Sequence, residues 1–127
     1  MRQRFNLQDY SIEIDYGLHV VERLNTRFSN LDTAYLDFVI ESVFTNETVS
    51  DYLINDVRIG DDVVVIDEDS GISLAVNIGL DCFYVKTIYN AFEGNLLLGD
   101  MQTVLRYARE IGLRIEHFQR RRNEAYA

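Results

Sequence analysis

The run Gly17-Leu18-His19-Val20-Val21-Glu22-Arg23-Leu24-Asn25-Thr26-Arg27 carries the residues best suited to chemistry. At the roughly 100° per residue of an α-helix, His19, Arg23 and Arg27 form one stripe that borders the apolar face made by Val20, Val21, Leu24 and Phe28. Such a border is where a cleft between a helix and a neighbouring layer opens. Histidine titrates near neutrality and can take or give a proton, whereas arginine offers a fixed cation to a phosphate as charge builds on it. The set suits phosphoryl chemistry that uses no metal. The same spacing also fits a packed histidine beside a core, with Glu22 and Arg23 decorating a solvated face.

The elements that must position these residues follow from periodicity. Tyr10–Ile14 alternates as a short strand, and Asp15 and Gly17 supply turn or cap chemistry ahead of a helix over Gly17–Phe28. After Ser29-Asn30, a second helix is expected over Leu31–Phe44, with Leu31, Tyr35, Phe38, Val39 and Val43 as its core stripe. Thr45–Asp56 reads as a short helix or an extension of the second. From Val57 the period changes. Val63–Ile66 and Ile72–Ile78 read as two strands joined by a hairpin loop over Asp67–Gly71, and Cys82–Tyr89 as a third. The acidic loop is a turn and not a calcium site, because Gly71 stands fifth from Asp67 where the calcium loop needs glycine sixth, and the twelfth position is Ile78. Leu96–Leu98 suggests a brief strand. Asp100 caps an expected last helix with Met101, Val104, Leu105, Ala108 and Ile111 as its stripe, Gly112 stops it, and Leu113–Phe118 returns as a strand. This order predicts one α+β domain over residues 1–127, with two N-terminal helices packed on a small antiparallel sheet and an additional C-terminal helix.

Composition narrows the function classes. The chain has 127 residues, 47% hydrophobic and 12% aromatic, enough for a single core. No stretch approaches the roughly 20 apolar residues of a membrane span, and the N-terminus lacks the apolar block of a signal peptide, so a cytoplasmic protein with no membrane association is expected. Cys82 is the only cysteine, which leaves no disulfide framework and no cysteine-based zinc site, and it reads as a small buried residue. No metal or cofactor is expected. The net charge of −9 argues against a protein that grips nucleic acid over its whole surface. Charge is unevenly distributed, however. Acids crowd Asp61–Asp69, while Arg106–Arg122 holds six arginines against Glu110 and Glu116, a basic patch able to steer a short RNA or to dock a partner.

The segment Gly17–Arg27 resembles the first-helix signature, a histidine followed by arginine four and often eight residues on, of the RelE-like endoribonuclease superfamily, which includes phage RegB-type nucleases and small toxin-like domains. The run Tyr84-Val85-Lys86-Thr87-Ile88-Tyr89 is similar to a strand end common in those domains. The likeness covers the layout from Tyr10 to Tyr89. It implies a RelE-like fold and cleavage of single-stranded RNA by attack of the ribose 2′-hydroxyl on the adjacent phosphate, leaving a cyclic phosphate. His19 matches the acid–base histidine and Arg23 the cation that stabilises the pentavalent phosphate, with Arg27 in support. Glu41 falls where some relatives place a second acid–base group. Lys86 and Thr87 are further catalytic candidates expected on opposite sheet faces. Tyr89, on the face of Thr87, is able to stack on a base or to fill the core. Arg114 and His117 are candidate substrate-binding residues at the C-terminal basic patch, where the family motif does not reach. The chain departs from many relatives in having Gly17 two residues before the histidine where they have serine, and in its acidity. The implied partner is therefore RNA, and the competing class is a non-catalytic immunity or anti-defence protein on the same fold that binds a protein partner. The size and initial methionine fit an independent gene product of phage or toxin-like kind.

Overall fold

A computed structural model describes residues 2–90, 101–108 and 112–120. Ten elements follow in order: β1 (Arg2–Leu7), β2 (Tyr10–Tyr16), α1 (Leu18–Arg27), α2 (Thr33–Phe44), α3 (Glu47–Asn55), β3 (Asp62–Asp67), β4 (Ile72–Ile78), β5 (Cys82–Asn90), β6 (Met101–Ala108) and β7 (Leu113–Arg120). The strands make one sheet in the order β1-β2-β5-β4-β3-β7-β6. The chain is α+β. Every neighbouring pair is antiparallel except β2 and β5, which run parallel, so the sheet is mixed rather than antiparallel.

Local chemistry accounts for most of the boundaries. Asp32 caps α2 by accepting from the Tyr35 backbone N–H at 2.9 Å, and Asn46 caps α3 by accepting from Val49 N–H at 3.1 Å. The β1–β2 hairpin turns on Gln8 and Asp9, both at positive φ, as a two-residue turn of matching twist requires. Gln8 is held there by its side-chain amide, which donates to the Ser50 hydroxyl on α3 at 3.2 Å. The Asp67–Gly71 segment is the β3–β4 turn that its residue types demand, with Gly71 at φ +77°.

The core lies between the helices and one sheet face. Val20 and Leu24 of α1 and Leu36, Val39, Ile40, Val43 and Phe44 of α2 meet Ile14, Tyr16, Val63, Val65, Leu74, Val76, Phe83, Val85 and Ile88. Val64, Ile66 and Ala75, on the other face, are also buried, which is why β3 and β4 read as unbroken apolar runs. No helix among the described residues is long and apolar enough to cross a membrane.

Three expectations are corrected. Met101–Ala108 is a strand, not a helix: its 101/104/105/108 apolar spacing suits a helix, but β-branched Thr103 and Val104 and aromatic Tyr107 also suit a strand, and pairing with β7 decides it. Asp100, Ile111 and Leu96–Leu98 lie outside the described residues. Three helices, not two, precede the β3–β5 meander, because Asn46 starts α3 afresh. Finally, α2 is rotated from the expected stripe. It is apolar almost all round, so Leu36, Val39, Ile40 and Val43 make an equally regular stripe, and it is this one that is buried; Phe38 is 64% and Tyr35 36% exposed.

Helix α2 is tied to β2 by the buried Tyr16, whose hydroxyl donates to Asp37 Oδ1 at 2.6 Å. Burial pushes the Tyr16 phenol well above its ordinary value, and the hydrogen bond to Asp37 and the charges of Asp37 and Asp15 add to the rise. A phenol whose folded-state pKa is raised keeps its proton when the unfolded chain has lost it, so its contribution is complete below about pH 10 and is lost as pH rises from there. Tyr16→Phe should cost about 1 kcal/mol at neutral pH, and urea titrations from pH 7 to 11 should show a shallower alkaline loss than in the wild type.

Candidate functional site

The α1 stripe is preserved but its members have different surroundings. Gly17 occupies the N-cap position without a side-chain cap, and a Cβ placed there would lie 2.9 Å from the Tyr84 hydroxyl. Serine at this position would therefore have to displace the end of the Tyr84 side chain. His19, in the first turn, is exposed. Arg23, one turn on, is half-buried, and its Nε is buried with no hydrogen-bond partner. That leaves a donor uncommitted in a protein interior, where most donors are paired.

Arg27 fastens the helix to β5. Its Nη1 donates to the Ile88 carbonyl at 3.1 Å, and its guanidinium lies 4.8 Å from the centre of the Tyr89 ring. The contact is possible because β2 ends at the Tyr16–Val85 pair, so the last residues of β5 have no strand on that side among the described residues. The stripe and the Val85–Tyr89 run, far apart in the chain, are thus neighbours in the fold. His19 lies two turns from Arg27, roughly 12 Å along the axis at 1.5 Å per residue.

Lys86 and Thr87 do not point to opposite faces. Val76 pairs with Val85 and Ala75 with Thr87, so Lys86 is the extra residue of a β-bulge. The bulge breaks the two-residue alternation and puts Lys86 and Thr87 together on the face turned away from the helices. There the Lys86 ammonium meets buried Asp62 Oδ2 at 3.0 Å, and Asn77 Nδ2 donates to Asp62 Oδ1 at 3.0 Å. Lys86 therefore neutralises a carboxylate of the sheet. Glu41 is exposed on α2.

The C-terminal candidates sit apart from the stripe. His117 is 1% exposed and both its ring nitrogens are engaged, Nδ1 with the Tyr52 hydroxyl at 2.8 Å and Nε2 with Asp61 Oδ2 at 2.9 Å. It offers no free nitrogen to a substrate and joins α3, β7 and the segment before β3 instead. Arg114, three residues earlier on β7 and on the opposite face, is half-buried with its Nε unpartnered. Cys82 is half-buried, and burial followed by the charges of Glu13, Asp15 and Asp81 pushes its thiol up, as expected of an inert side chain.

Sequence reasoning missed Tyr52 and Asp61 as partners of His117, because residues 56 and 65 positions away carry no local signal of contact. It also missed Asp67, counted only as a turn residue, which lines a groove beside α2. Compared with protein-family models, with curated proteins and with solved structures, the chain gives no match.

Proposed function

We propose that the protein is a metal-independent endoribonuclease with a RelE-like fold, acting on single-stranded RNA through the α1 stripe. One observation carries the reading: Arg27 anchors the stripe to the Val85–Tyr89 strand while His19 stays accessible and half-buried Arg23 stands between them on the same stripe. The two segments that resemble the family are therefore side by side.

In this reaction the 2′-oxygen attacks the adjacent phosphorus, the bond from phosphorus to the 5′-oxygen breaks, and a 2′,3′-cyclic phosphate and a 5′-hydroxyl result. His19 takes the proton of the 2′-hydroxyl or supplies the one the departing 5′-oxygen needs. Arg23 meets the charge that gathers on the non-bridging oxygens. Arg27, committed to Ile88 and Tyr89, positions the helix and leaves the Tyr89 edge for a base to approach. Lys86 and Thr87, on the far face, and the buried His117 have no part in this mechanism. The net charge of −9 favours a short, local contact with RNA over a long one.

The test is incubation of the purified protein with end-labelled cellular RNA in EDTA, followed by mapping of new ends. Expected are new 3′ ends that resist phosphatase until acid opens the cyclic phosphate. RNA left intact by folded protein would reject the reading for the protein acting alone.

A further inference from the structure

A groove of about 280 Å³ runs between α2 and the β3–β4 turn, away from α1 and β5. Tyr35 and Phe38 form one wall and Asp67, Asp69 and Ser70 the other, with Leu113 among the floor residues. Its volume falls just below the roughly 300–1,000 Å³ typical of ligand sites, enough for one long side chain and too little for a large cofactor.

Two independent features mark it as a place for a cation. The first is Asp67. It is 9% exposed, faces the helix layer beside Leu113, and its carboxylate meets no hydrogen-bond donor or cation among the described residues. Its backbone carbonyl is used by Gly71 N–H, while the side chain, unpaired among the described residues, lines the groove. Its oxygens keep contact with the water of the groove, so a cation that enters can reach a carboxylate that nothing else among the described residues balances. The second is the aromatic wall. Tyr35 and Phe38 pack at 6.4 Å between ring centres with a 32° tilt, and Phe38 keeps 64% of its surface exposed although α2 had another apolar stripe to offer the core. Aromatic faces attract cations, and Asp69 on the rim adds to the negative potential.

We propose that this groove binds an arginine side chain presented by a basic polypeptide partner. A guanidinium is flat, so it can lie against the Phe38 ring while its fork meets the Asp67 carboxylate, a combination that the compact ammonium of lysine does not match. The acidic protein as a whole draws a basic partner toward it. The proposal is independent of the nuclease reading, since none of the groove residues belongs to α1 or β5.

The experiment is calorimetric titration of the full chain with a short acetylated glycine peptide carrying two arginines, with the same peptide carrying citrulline, and with its lysine counterpart. The arginine peptide should bind, at least 10-fold more tightly than the citrulline peptide and several-fold more tightly than the lysine one, and rising salt should weaken it. Asp67→Asn should lower the affinity at least 10-fold. Phe38→Ala, at an exposed position that folding does not need, should lower it several-fold and decides the matter if the Asp67 variant does not fold. Absence of binding by the wild type, equal binding of citrulline or lysine peptides, or affinity unchanged by Phe38→Ala would overturn the proposal. So would concentration-dependent self-association that Phe38→Ala abolishes, because the occupant would then be a second copy of this chain.

Discussion

Replacing His117 by alanine should destabilise the protein by about 3 kcal/mol, the scale of breaking a buried, hydrogen-bonded pair. The imidazole is flanked by the Asp61 carboxylate and the Tyr52 hydroxyl, and its ring meets Tyr52 edge-on at 5.8 Å between centres. Its removal takes the imidazole from an aspartate that is 8% exposed, and it opens a cavity beside Asp61 and Tyr52. The Arg58 backbone N–H, 3.3 Å from Asp61 Oδ2, offsets only part of this. Urea denaturation monitored by circular dichroism measures the loss. Asp61→Ala and His117→Ala should be strongly non-additive, the double variant losing about 1–3 kcal/mol less than the sum of the singles, as expected for members of one network. Additive losses would mean that the two residues do not support one another.

His19→Ala should lower RNA cleavage by about 10²–10⁴-fold, the usual contribution of a positioned acid–base group, with no change in melting temperature because the side chain is exposed. Arg23→Ala should lose about 10²–10³-fold, the effect of removing one group that stabilises developing charge. The two read different terms. A histidine moving a proton should leave the pH–rate profile altered in shape when replaced, whereas the arginine variant should keep the shape and lose amplitude at every pH. Cleavage by His19→Ala at the wild-type rate would remove the stripe from the chemistry even if the protein cleaves RNA.

These two histidines show how differently the sequence spoke about each. His19 and Arg23 could be read as candidates because a helix places residues four apart on one side whatever the rest of the chain does. For His117 the residue type was visible but its task was not, since burial between Asp61 and Tyr52 depends on β3 pairing with β7 and on α3 bringing Tyr52 to the ring.

The sequence by itself determined the α+β class, both ends of α1 to within a residue, the end of α2 though not its start, which Asp32 and not Ser29-Asn30 caps, the three strands of the β3–β5 meander and the turn at Asp67–Gly71, because capping side chains, turn residues and hydrophobic period all act over a few residues. Only the tertiary structure decided which side of α2 is buried, whether Met101–Ala108 is helix or strand, and on which face Lys86 lies. An apolar stripe states that a face will be covered without naming the cover, a strand needs a distant partner edge, and a bulge exists only relative to the strand it fails to match. The exposure of Phe38 and the placing of the Asp67 carboxylate opposite it, which define the groove, are outcomes of those non-local choices.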